Sequence, residues 1–228
     1  MNDLTERVSK IQTSLLDWFH ISGRQFPWRQ TCNPYAVLLA EKLLQQTVVR
    51  EGVVQAYNDL LTSYPTPAVL AKADVESVRA TIHSLGLHYR AQELVALARE
   101  ISEKHSGYVP QDFKSLLALP GVGDYIARAV LCFAFGQDVP IVDTNVARIL
   151  YRLFGLPGPM PTNPARKRDL IELTRSLLPT GRSREFNLAM LDLGALVCKP
   201  HTPECDLCPL SPVCEFDIST TKLEEKND

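Results

Sequence analysis

Apolar residues recur at helical spacing along nearly the whole chain. Leu4, Val8, Ile11, Leu15, Leu16 and Phe19 fall on one face of an amphipathic helix over 4–20. A polar connector, Ser22 to Gln25, leads to Phe26-Pro27-Trp28-Arg29, and Asn33-Pro34 then supplies a cap followed by a first-turn proline. The helix that follows is predicted to run from Pro34 to about Leu61. It is apolar nearly all round from Tyr35 to Leu44, the mark of a buried helix. Further helical patterns cover 67–72, 74–84, 90–104 and 113–118, with Gly, Pro or Tyr-Pro breaks between them. They resume at 144–154 and, beyond a proline-rich loop, at 165–178 and 184–197. No alternating strand pattern, internal repeat or low-complexity linker interrupts them, so the predicted class is all-α. Ser219 to Asp228 is polar and reads as a frayed end.

Composition adds little to this picture. At 45% hydrophobic and 22% charged residues it is that of a soluble globular protein. The polar start MNDLTERVSK reads as no signal peptide, and the longest uncharged apolar run, Ala129–Gly136, is too short to span a bilayer. The expectation is a cytoplasmic protein with no membrane partner. A net charge of −2 does not announce a nucleic-acid binder, but the distribution changes the reading. From Thr144 to Arg184 there are eight basic residues, Arg148 among them, against two acidic ones. From Glu185 onward Lys199 and two other lysines face nine carboxylates. A basic segment starting at Asp143 is what a phosphate-contacting surface needs, although charge runs are more often solvated faces.

Three constellations carry candidate chemistry. Leu119-Pro120-Gly121-Val122-Gly123 is a tight turn between two apolar helical segments. A turn that opens a helix directs unpaired N–H groups outward, where an anion binds, and Gly121 and Gly123 permit close approach of a phosphate backbone. On the turn alone an ordinary helix–turn–helix corner is the favoured reading. Two carboxylates stand out. Glu41 lies in the apolar stretch Leu38–Leu44, where burial would raise its pKa, although periodicity leaves Glu41 and Lys42 equally able to emerge on a wet edge. Asp143 is placed to cap the helix at Thr144, and a helix N-terminus favours its ionised form. Finally, Cys198, Cys205, Cys208 and Cys214 cluster among prolines that keep the loop stiff. In an intracellular protein that implies a metal. Zinc and a [4Fe–4S] cluster both accept four thiolates, and spacing alone does not choose between them. Cys132 reads as a buried small hydrophobe.

From about Phe26 to Cys214 these residues resemble the helix-hairpin-helix DNA glycosylases, the superfamily of endonuclease III and MutY. The resemblance rests on the Gly-Val-Gly hairpin, the Asp143 that follows it and the cysteine spacing. It implies a helical domain over 28–136 carrying the hairpin. A second domain would combine 1–27 with 137–216, with a cleft between the two and a tail at 217–228. It makes Asp143 the catalytic Asp and the four cysteines the ligands of a structural [4Fe–4S] cluster whose loop presents Lys199 and His201 to DNA. It places Glu41 where MutY-like enzymes contact the base, and Asn145 in an Asp-x-Asn pattern that helps orient the nucleotide.

Tyr125 stands where endonuclease III carries a Schiff-base lysine. MutY has Ser there and the archaeal-type thymine/uracil mismatch glycosylases have Tyr. Gln45-Gln46-Thr47 is MutY-like, in a region where a side chain wedges into the gap left by a flipped base. Leu87-His88 replaces MutY's Tyr-Tyr, with Leu87 as a candidate wedge. The chain ends 14 residues after Cys214, where MutY continues into a domain that recognises 8-oxoguanine. The resemblance therefore implies a monomeric, monofunctional glycosylase, nucleoid-associated, acting on double-stranded DNA with a mismatched base. The expected substrate is thymine or uracil opposite guanine. The alternatives are a MutY-like adenine glycosylase without its recognition domain and a non-catalytic DNA-binding module.

Overall fold

The computed structural model of the protein describes residues 2–45, 50–85 and 89–216. Gln46, Leu87 and His88 lie outside the described residues. All regular structure among the described residues is helical, in agreement with the apolar periodicity, and none of these helices is long and apolar enough to cross a membrane. Two compact units form, one from Gln25–Gln137 and one from Met1–Arg24 with Asp138–Asp228.

The Gln25–Gln137 unit contains α2 (Pro34–Leu44), α3 (Glu51–Ser63), α4 (Pro67–Ala71), α5 (Val75–Thr81), α6 (Tyr89–Lys104), α7 (Phe113–Leu117) and α8 (Asp124–Phe133). Asn33 caps α2 through its side-chain oxygen, which accepts from Tyr35 N and Ala36 N. The single helix expected over 34–61 is two. Gln45 leaves the helical region at ψ 123, and α3 starts only after the extended Arg50. No Gly or Pro marks that break, and the apolar pattern runs through it. Thr66, Asp74 and Asp112 cap α4, α5 and α7 with their side chains. α2 packs on α8, and α4 and α5 pack on α6, with Leu38, Leu39, Leu43, Leu60, Leu94, Ile101 and Val130 buried.

The other unit pairs α1 (Asn2–Ser22) with α9 (Thr144–Leu153), α10 (Arg168–Leu177) and α11 (Ser183–Leu196). Ile11 and Leu15 of α1 join Val146, Ile149, Leu150, Phe186, Met190 and Leu193 in one buried cluster. α10 begins at Arg168, behind a short 3-10 turn at Pro164–Arg166, later than its periodicity suggests. Buried Asp192 on α11 accepts from the backbone N–H of Arg24 at 2.8 Å and from its Nε at 2.7 Å, which pins the end of the α1 connector. The N-terminal helix also clamps the end of the cysteine loop. Arg7 donates to Leu153 O at 2.7 Å and Val213 O at 3.0 Å, and pairs with Glu215.

Candidate functional site

In the Gln25–Gln137 unit the hairpin turn joins α7 to α8. Val122 N–H donates to Leu119 O at 3.2 Å, with Pro120 and Gly121 at the corner. Gly121 has φ +69, the left-handed value a type II turn needs at its third residue. A Cβ added at Gly121 would land on the Lys42 ammonium, whereas one at Gly123 would meet nothing within 4 Å. Only Gly123 is open on that side. α8 starts with no side-chain cap, and Tyr125, in its first turn, is half-buried.

Glu41 and Lys42 both face inward, with 6% and 1% of their surfaces exposed. The wet-edge reading of the pair is therefore wrong. The sequence names Lys42 only as the neighbour of Glu41 on that edge. Its Nζ donates to Gln45 Oε1 at 2.8 Å, Glu93 Oε2 at 3.0 Å and Gly121 O at 3.0 Å. The Gln45 amide also leans on Gly121 O, at 3.4 Å. Nearby Arg90, equally buried, donates from Nη1 to Leu43 O at 2.7 Å and secures the end of α2.

In the second unit Asp143 caps α9. Its Oδ1 accepts from Val146 N–H at 2.7 Å and its Oδ2 from Asn145 Nδ2 at 2.8 Å. Asn145 Oδ1 in turn accepts from Arg148 Nη2 at 2.9 Å. Arg148, expected on a phosphate-contacting face, points inward and is buried. It also donates from Nη2 to Gly194 O at 2.8 Å and from Nε to Cys198 O at 2.9 Å, and desolvation lowers its pKa. A chain of hydrogen bonds thus runs from the Asp143 carboxylate through Asn145 and Arg148 to the first cysteine of the loop. Gly194 makes it possible, because a Cβ there would meet Asn145 Cβ at 2.7 Å and force α9 and α11 apart. A glycine inside an apolar helix costs about 1 kcal/mol relative to alanine, and it is the signal in the sequence that marks this close approach.

Cys198, Cys205, Cys208 and Cys214 line one cavity of about 40 Å³ with Arg152, Val197 and Phe216. A buried water needs roughly 10–15 Å³ on this measure. Burial pushes the Cys208 thiol up to about 11 and raises Cys205 and Cys214 as well. Arg152 reaches the loop with Nη1 at 3.3 Å from Cys198 Sγ, and it donates to Lys199 O at 2.7 Å and Pro200 O at 2.6 Å. Its guanidinium lies over the Phe216 ring, 4.7 Å from the centroid. Among the described residues no three His, Cys, Asp or Glu side chains converge on a single ion. Lys199 forms an ion pair with Glu204 at the edge of the loop, and Cys132 is buried, as expected of a small hydrophobe.

Residues 40–175 match the family model described as HhH-GPD superfamily base excision DNA repair protein. Over 213 residues the chain is 39% identical to the thymine/uracil-DNA glycosylase of Pyrobaculum aerophilum, covering 91% of this chain and 92% of that protein. It is 40% identical over 200 residues to the adenine DNA glycosylase of Mycobacterium tuberculosis, covering 87% of this chain but 65% of that protein. The solved structure of a thermostable thymine-DNA glycosylase superposes with a TM-score of 0.87 at 32% identity, over 93% of this chain and 97% of that one.

Proposed function

The chain belongs to the HhH-GPD superfamily of base excision DNA repair proteins, and from that premise we propose that it is a monofunctional DNA N-glycosylase removing thymine or uracil mispaired with guanine. The observation that carries this reading is the likeness to the Pyrobaculum aerophilum thymine/uracil-DNA glycosylase over more than nine tenths of both chains. Tyr125 supports it, since a phenol cannot form the imine that strand cleavage by a lyase requires. The buried Lys42 amine, held by three acceptors, supports it too. The substrate is double-stranded DNA, bound by a monomer, and mispaired bases are flipped out more cheaply because less pairing is lost.

Each side chain has a role under this reading. The turn at Gly121, Val122 and Gly123 receives a DNA phosphate at the start of α8. Glu41, buried on α2, assists departure of the base, and Tyr125 stacks on it. The Asp143 carboxylate offsets the positive charge that develops on the sugar as the N-glycosidic bond breaks. Asn145 and Arg148 hold Asp143 in orientation, so Arg148 acts through the protein interior and not on a phosphate. Gln45, Lys199 and the residues Gln46, Leu87 and His88 are assigned to DNA contact on the resemblance alone.

Cys198, Cys205, Cys208 and Cys214 would hold a [4Fe–4S] cluster. The fit is carried by four thiols arranged round one cavity with the Arg152 guanidinium beside Cys198 Sγ. Through these four thiolates a bound cluster would cross-link the loop that ends the Asp143 hydrogen-bond chain.

A second reading, an adenine glycosylase, is favoured by the 40% identity to the Mycobacterium tuberculosis enzyme. Release of free base from duplexes carrying G·T, G·U, A·G or A·8-oxoguanine tests both. Thymine or uracil released opposite guanine supports the first and adenine alone the second. No release from any duplex would leave only a DNA-binding module.

A further inference from the structure

The hairpin turn and the start of α8, Leu119–Ala127, contain no Lys or Arg, and their charged residue is the acidic Asp124. A surface that receives phosphate normally supplies basic side chains. The cation that serves this turn lies beneath it. Lys42 has 1% of its surface exposed, and an ammonium carries three donors and no acceptor. Such a group is tolerated in an interior only when its donors are taken. Here they go to Gln45 Oε1, Glu93 Oε2 and Gly121 O, which belong to the end of α2, to α6 and to the turn.

The bond to Gly121 O fixes the peptide plane that follows the left-handed residue, and so the direction in which the backbone runs into α8. Gly121 is required on two counts, its φ of +69 and the ammonium where its Cβ would lie. Resting on the DNA-binding part of the function proposed above, we infer that Lys42 is a positioning residue for the DNA backbone. From inside the unit it supplies rigidity to the turn and neutralises the Glu93 carboxylate beside it.

The test compares binding of an undamaged duplex and of a duplex carrying a tetrahydrofuran abasic analogue, by fluorescence anisotropy over a range of salt concentrations. Lys42→Met keeps the length and the apolar stem. It should raise Kd for both duplexes at least tenfold and make the salt dependence shallower, while the single-turnover rate at saturating protein falls by less than the affinity. Gly121→Ala reaches the same contact from the turn and should lose affinity similarly. The double variant should lose no more than the weaker-binding single variant, because both changes act on one element.

Wild-type affinity and salt slope in Lys42→Met, with only a lowered Tm, would make the lysine architectural and overturn the inference. Fully additive losses would overturn it as well. Should Lys42→Met fail to fold, undiminished binding by Gly121→Ala decides against the inference, and weakened binding with a shallower salt slope decides for it. Base release is a separate readout, so its absence from every mispaired duplex would refute the glycosylase reading without altering this comparison.

Discussion

The hydrogen-bond chain from Asp143 to the cysteine loop makes a two-part prediction for Arg148→Met and Asn145→Ala. Arg148 donates to Cys198 O, Gly194 O and Asn145 Oδ1, and hydrogen bonds from a charged group contribute about 1.5–3 kcal/mol each. Removing the guanidinium also removes the cost of burying it, which is several kcal/mol. The net destabilisation of Arg148→Met is therefore roughly 2–4 kcal/mol. At about 2–4 °C per kcal/mol for a chain of this size, Tm should drop by roughly 5–15 °C.

The catalytic effect follows from the next link. Asn145 would keep its bond to Asp143 Oδ2 but lose the partner that fixes its amide, so Arg148→Met should slow base release about tenfold. Asn145→Ala deletes the bond to the carboxylate itself. One such bond corresponds to about 10- to 100-fold, with little change in Tm. Differential scanning fluorimetry and single-turnover release from a G·U duplex, run well below either transition, measure the two quantities separately. An Asn145→Ala variant that releases base at the wild-type rate would refute the chain. So would an Arg148→Met variant that melts early but reacts normally.

Much of the architecture was legible because α2, α4, α5, α7 and α9 each carry a capping side chain at the start of an apolar helical stretch. Asn33-Pro34 and Asp143 are cases in which the sequence signal and the observed cap coincide. The break after α2 was not legible. Gln45 changes ψ without a glycine or proline to mark it, and propensity is silent on such a switch. Burial of charge was the other blind spot. Lys42 sits in an apolar helix where period alone allows either orientation, and two of its three acceptors come from residues 51 and 79 positions away. Arg148 was counted with a basic segment because charge counts carry no direction. Its acceptors become visible only when Gly194 lets α11 approach α9. The roles of Asp143, Tyr125 and the cysteines came from resemblance in spacing, which physical periodicity does not supply.

The remaining predictions address the cluster, the carboxylates and the chemistry at Tyr125. Protein purified without oxygen should be brown with about four irons per chain. Cys208→Ser should lower iron content and Tm together, because cluster binding is folding free energy for this loop; a colourless wild-type protein with stoichiometric zinc would contradict the cluster. Asp143→Asn should slow base release about 10²- to 10³-fold, the cost of losing one preorganised charge, while duplex binding by gel shift stays near wild type. Glu41→Gln should slow it about 10²- to 10⁴-fold if Glu41 transfers a proton, a loss that shrinks for bases that depart readily. Tyr125→Lys carries the sharpest contrast. The wild-type enzyme should leave an intact abasic site, with strand breaks only after alkali or heat and little adduct trapped by borohydride. The lysine variant places an amine in the first turn of α8, so borohydride should then trap a covalent protein–DNA adduct and some strands should break without heating. Lys42 is not a ready substitute for that amine, because leaving the interior would cost it its bonds to Gln45, Glu93 and Gly121. Efficient borohydride trapping of the wild-type protein would therefore show that a different amine reaches the sugar, and the monofunctional assignment would fall.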